Sequence, residues 1–184
     1  MLFFNSYTSS NNNNRDLIDC YYEKIIKVSR QKQFYNKLKV PDTIDGRFDL
    51  LILFSIILTF FLIRTGKKGQ ELSQILFDKI FLDLDLSLRE MGAGDTGVHI
   101  KIKKMINSYM GRQKFYMQCL EKNDFSTLKI HIIKNVYRNV DNSDYFPQLL
   151  TNYCQLCFEV LEEIPEDYLL TNKFVFPEYK QDLN

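Results

Sequence analysis

Apolar residues are spread unevenly along this chain, and one block stands apart. Leu50–Ile63 (LLILFSIILTFFLI) carries no charge, and Ser55 and Thr59 are its only polar residues. A helix that is apolar on every side is buried in protein or in lipid. A bilayer span wants about 20 such residues, so the length favours a buried central helix over the alternative, a membrane anchor. Elsewhere the apolar positions recur at helical spacing. Leu17, Cys20, Tyr21, Ile25, Val28, Phe34 and Leu38 mark Asp16–Leu38 as helical, with Asp16 or Asn14 as cap and polar Ser29–Lys32 dividing it in two. Leu76, Phe77, Ile80, Phe81, Leu84, Leu88 and Met91 form a broad apolar arc on a helix over Glu71–Met91. Val98, Ile102, Met105, Tyr109, Tyr116 and Leu120 do the same over Val98–Leu120. A shorter helix over Phe125–Tyr137 follows, then a polar break at Asp141–Asp144, then a helix over Tyr145–Ile164 stopped by Pro165. No stretch reads as a strand. The pattern predicts an all-α fold: one helical domain over 15–165, of six to seven helices around a buried central helix at 50–63. It also predicts a disordered tail over 1–14 and a C-terminal tail over 166–184, in which Phe174, Phe176 and Tyr179 offer packing groups.

The breaks carry their own signals. Pro41 ends the first helical region, and Asp42 and Asp45 have the three-residue spacing of a capping arrangement. Asp42, Asp45 and Asp49 place negative charge where the helix dipole favours it. Arg47 lies against that dipole and needs a partner: Asp45, Asp49 or another element. Gly92–Gly97 (GAGDTG) matches GxGxxG by letter. The dinucleotide fingerprint requires a preceding strand, and here a helix precedes it, so the match is false. Gly92 instead suits a left-handed helix stop, with Asp95 or Thr96 capping the next helix.

Composition adds limits. The 184 residues suffice for one domain with a full core. A net charge of +1, with 26% charged residues, gives no global field for nucleic acid. Seven glycines and four prolines suit long helices. The N-terminal MLFF lacks the basic start and long apolar stretch of a signal peptide and the arginines of a mitochondrial presequence. Cys20, Cys119, Cys154 and Cys157 are therefore read as reduced thiols. The Cys154–Cys157 CxxC has no second pair, which argues for a structural role over a zinc site.

Two charged surfaces follow from the wheel. Asp78, Asp85 and Arg89 fall together, with Ile75, Leu82 and Leu86 forming an apolar strip beyond them. Two accounts stay open: an ordinary Asp85–Arg89 ion pair at i,i+4, or a contact with another helix, through Arg47, or with a partner protein. Lys101, Lys104, Ser108 and Arg112 gather on one side of the following helix. This basic stripe is either a solvated face or a contact for anionic headgroups or an acidic loop.

Two segments carry more specific information. Pro41-Asp-Thr-Ile-Asp-Gly-Arg-Phe-Asp-Leu-Leu51 resembles the PDTxDGRFDLL signature of the ubiquinol–cytochrome c chaperone family. Leu76-Phe-Asp-Lys-Ile-Phe81, Asp83, Asp85 and Leu88-Arg-Glu-Met-Gly-Ala-Gly-Asp95 resemble its second signature. The likeness is dense over Phe34–Tyr116. It implies an all-helical, non-enzymatic and cofactor-free assembly factor that helps newly made cytochrome b enter respiratory complex III. Mitochondrial members act with a small partner protein near the ribosome. Many bacterial members carry His where this chain has Phe54, so no role of that imidazole transfers. The resemblance then implies a cytochrome b client, and the apolar strip beside charges has the character of a surface to hold it, through Arg47, Asp78, Leu82, Asp85, Leu86 and Arg89. Lys101, Lys104 and Arg112 would face an anionic membrane surface or the ribosome exit region, and neither nucleic-acid readout nor a small-molecule substrate is implied. The setting would be the bacterial cytoplasm, peripheral on the inner membrane, or the matrix side of a mitochondrion. The alternative from a different class is a helical enzyme or metal protein using Asp78, Asp83, Asp85 and Glu90. Asp83 and Asp85 point to different sides of a helix, and no Glu-x-x-His pair occurs, which weighs against it.

Overall fold

The apolar block forms the middle of a longer helix, and the other elements are laid around it. In the computed structural model, which describes residues 12–92, 94–138 and 144–179, eight helices occur in the order α1 (Asn12–Ser29), α2 (Lys32–Asn36), α3 (Ile44–Arg64), α4 (Lys67–Glu90), α5 (Asp95–Glu121), α6 (Phe125–Asn135), α7 (Tyr145–Glu162) and α8 (Glu166–Leu170). Six are long, and α2 and α8 are little more than single turns. No strand occurs among the described residues.

Every residue of α3 from Phe48 to Leu62 is buried. The helix is long and apolar enough to cross a membrane, but protein covers 89% of its apolar window. It touches α1, α4, α5, α7 and α8. Each Leu, Ile or Phe taken from water contributes roughly 1.5–3 kcal/mol against the entropy of ordering the chain, so the covering of α3 supplies much of the driving force for the fold. Ser55 satisfies its hydroxyl by donating to the Ile52 carbonyl at 2.9 Å. Ser55 and Thr59 both bond to the buried Tyr109 phenol, whose pKa burial nevertheless pushes up to about 12.

Phe54 lies at the centre of an aromatic cluster. Its ring centroid is 5.7 Å from Phe34, 5.8 Å from Tyr153 and 6.1 Å from Phe176. The last of these belongs to a non-helical strap after α8. Phe174, Phe176 and Tyr179 of the strap are all buried. Lys24 donates to the Asn172 carbonyl at 2.8 Å, and the Tyr179 amide donates to Gln31 at 3.0 Å. Residues 172–179 are thus stitched onto α1 and the α1–α2 turn.

Several boundaries differ from the sequence reading. Helix α1 begins at Asn12, within the asparagine run assigned to the tail, because buried Ile18 and Tyr21 hold the helix and override weak local propensity. The rest of that tail, residues 1–11, lies outside the described residues, as do most of the Asp141–Asp144 break and residues 180–184. Thr43, not Asp42, caps α3, accepting from the Gly46 amide at 3.1 Å. Gly94 occupies the cap position of α5 without a side-chain bond. Gly92 does take the left-handed conformation, with φ of 84°, and stops α4.

Candidate functional site

The corner where α3 begins shows what the PDTIDGRFD segment does. Chain reversal before α3 brings the Pro41 carbonyl so close to Gly46 that a Cβ there would lie 2.0 Å from the oxygen. Only glycine fits. One turn on, the α3 face points inward and carries Asp49, whose side chain is 1% exposed. Arg112 of α5 donates to Asp49 Oδ1 at 2.6 Å, and Arg138, just after α6, donates to Oδ2 at 2.9 Å. Arg138 adopts φ of 55°, a left-handed conformation that costs a residue with a side chain roughly 1–2 kcal/mol. Burial pushes the Asp49 carboxyl up, and the two guanidinium groups pull against that. One buried carboxylate therefore ties three separated parts of the chain together.

This arrangement engages two of the proposed site residues elsewhere than the helical wheel suggests. Arg112 leaves the outward basic stripe, because its side chain is only 12% exposed and is spent on Asp49. Arg47 takes neither Asp45 nor Asp49. It donates to Asp42 at 2.7 Å and sits over the Tyr35 ring, so it stays at the α3 corner and does not join the α4 seam. That bond holds the Asp42 carboxyl below its ordinary range.

On α4 the structure brings the other five residues to one outward face. Its opposite face is sealed: Leu72, Leu76, Phe77, Ile80, Phe81 and Leu88 are buried, with Phe77 and Phe81 packed on Tyr109. The outward face grades from half-buried to open. Asp78 accepts from Gln74 at 3.0 Å, and burial outweighs that bond in pushing its carboxyl up. Leu82 is half-buried, Leu86 is 51% exposed, and Met91 beyond them is exposed as well. Arg89 is 43% exposed and donates to Asp85 at 2.5 Å and to Asp95 of α5. The i,i+4 pair is thus present, and it extends across the α4–α5 turn. The seam is an apolar strip with Leu86 at its open end, flanked by a carboxylate–guanidinium–carboxylate bridge.

The carboxylates of the metal-site alternative are dispersed. Asp83 accepts from Tyr22 of α1 at 2.6 Å, Asp85 pairs with Arg89, and Asp78 pairs with Gln74. Among the described residues no three His, Cys, Asp or Glu side chains gather as metal ligands. Cys154 and Cys157 are buried free thiols, and burial pushes the pKa of both well above the ordinary thiol value. That makes them packing groups, since reactivity needs the thiolate.

The second surface is concave. Between the start of α3 and the first half of α5 lies an open cleft of about 540 Å³. Lys101, Lys104 and Ser108 of α5 line it, with Asp45 and Phe48 of α3 and with Arg138. Sequence reasoning placed the lysines on a stripe but missed the cleft and its floor. The one available signal was a charge, Asp49, directly before the uncharged Leu50–Ile63 block: if buried, it needs a cation.

Comparison with known proteins agrees with the motifs. The family described as Ubiquinol-cytochrome C chaperone matches residues 36–176. The crystal structure of the Cbp3 homolog from Brucella abortus shares the fold with a TM-score of 0.79 and 30% identity, over 90% of this chain and 91% of that one. No curated protein matches the chain. With both signatures accounted for by the corner at Asp49 and the α4–α5 bridge, and with a match spanning most of the helical body, the chain belongs to the ubiquinol–cytochrome c chaperone family.

Proposed function

We propose that this protein promotes assembly of respiratory complex III by holding newly made cytochrome b through the outer face of α4. Family membership supports the assembly role. One observation supports the location: α4 is sealed on one face while its other face carries half-exposed Leu86 beside the Asp85–Arg89–Asp95 bridge. An unassembled membrane protein presents apolar helices and charged loops together. A binder for it needs apolar area for the first and adjustable charge for the second. Leu82 and Leu86 supply the area. Arg89 sits between two carboxylates and exchanges one of them for a client carboxylate without ever losing a partner. The protein works as a peripheral factor at the membrane, with Lys101 and Lys104 towards it.

Deleting the gene and recording the cytochrome b haem spectrum tests the reading. It predicts loss of cytochrome b signal and of quinol oxidation through complex III. Normal values of both would refute it. Restoring the wild-type gene, but not a Leu86→Asp variant that folds normally, is expected to recover the signal.

A further inference from the structure

We infer that the α3–α5 cleft is a site for the phosphate of a single phospholipid headgroup. This rests on the peripheral-membrane part of the reading above and is independent of the client part. Four cationic side chains line the cleft: Lys101, Lys104, Arg112 and Arg138. The two arginines are committed to Asp49, and Arg138 also lies 3.7 Å from Asp45. The carboxylates of the cleft are thus matched by arginines, and the lysines are left over. Neither Lys101 nor Lys104 forms an ion pair among the described residues. Two ammonium groups one helical turn apart, with the Ser108 hydroxyl a turn further on, present a short row of donors on one wall.

A free phosphate or an acidic peptide would also answer to positive charge. Lipid is favoured by what accompanies the charge. Ile100 lines the same cleft and is 51% exposed, next to Lys101 in the chain. An apolar side chain standing open beside lysines is the arrangement of a surface that sets cations at headgroup level and an apolar group below it. Phe48 and Met105 continue the apolar lining. The volume, about 540 Å³, accommodates a headgroup and the start of its chains.

Gly97 offers a clean test, because it lines the cleft and a Cβ added there would meet nothing within 4 Å. It lies in the first turn of α5, where glutamate is better than glycine for both propensity and dipole. Gly97→Glu is therefore expected to fold at least as well as the wild type while placing a carboxylate against the incoming phosphate. The full chain would be sedimented with phosphatidylcholine vesicles, with and without phosphatidylglycerol, and titrated with dihexanoyl phosphatidylglycerol below its micelle concentration, inorganic phosphate and polyglutamate. The wild type is expected to bind the phosphatidylglycerol vesicles and the short-chain lipid. Lys101→Ala with Lys104→Ala should weaken both by about thirtyfold, each lysine near a membrane being worth about fivefold. Gly97→Glu should abolish both, while Lys122→Glu at the far end of α5 changes neither. Vesicle binding without short-chain lipid binding would keep the peripheral reading but overturn the cleft as its site. Binding of neither lipid form would overturn both. Equal response to inorganic phosphate, or binding of polyglutamate alone, would overturn the lipid assignment.

Discussion

Two charge triads, one at the α3 corner and one at the α4–α5 turn, are inverses of each other. At the α3 corner one carboxylate, Asp49, lies between Arg112 and Arg138. At the α4–α5 turn one guanidinium, Arg89, lies between Asp85 and Asp95. The bonds are similarly short, but the environments differ. Asp49 is 1% exposed and Arg112 12%, with Arg138 at 46%, whereas Arg89 is 43% exposed, Asp85 20% and Asp95 92%. Water screens the second triad and competes for its members, so such pairs add little to stability. The first triad cannot lose Asp49 or Arg112 without stranding a desolvated charge. Burial therefore separates the two: the Asp49–Arg112 pair is locked inside the fold, and Arg89 and Asp95 stand open to water.

The largest predicted effect comes from breaking the buried triad. Asp49→Ala should destabilise the protein by about 3–5 kcal/mol, the usual cost of orphaning a buried partner. For a chain of this size that lowers Tm on the order of 10 °C. Thermal melts followed by circular dichroism check it. Pairing Asp49→Leu with Arg112→Met should recover much of the loss, because well-packed apolar groups often replace a buried pair without cost. Next in size is Gly46→Ala, which drives a methyl into the Pro41 carbonyl. About 1–3 kcal/mol is expected for such overpacking, read as a lower denaturant midpoint.

The exposed triad should respond in the opposite sense. Arg89→Ala is predicted to leave Tm close to that of the wild type while reducing co-purification of cytochrome b from crosslinked cells. If Tm and capture fell together, the contrast between the triads would fail. The smallest effect concerns pH. His131 stacks on Phe115 with centroids 5.1 Å apart, and burial, helped by nearby Lys134, lowers its pKa. The unfolded chain then binds a proton that the folded one resists, so stability declines as pH falls below the ordinary value of 6.5. His131→Gln should flatten that slope slightly in melts between pH 7 and 5.

The same contrast explains what could be read in advance. Residues Asp85 and Arg89 are four apart on one helix, and periodicity alone pairs them. Asp49 meets Arg112 and Arg138 across 63 and 89 positions, and no local rule reaches that far. The all-helical class and the buried central helix were legible because fourteen uncharged residues admit few placements. Arg47 and Arg112 were misplaced for a related reason. A wheel shows which way a side chain starts, but a long arginine ends where its carboxylate is, at Asp42 or at Asp49. The cleft escaped detection because it belongs to two helices at once.

Position-specific crosslinking tests the central claim most directly. A photoreactive amino acid would replace Leu86 on the open end of the α4 seam or, separately, Ile130 on α6, which is 61% exposed. After irradiation of living cells, cytochrome b should appear in adducts from position 86 and be absent from those at position 130. Cytochrome b trapped from position 130 but not from position 86 would contradict the account.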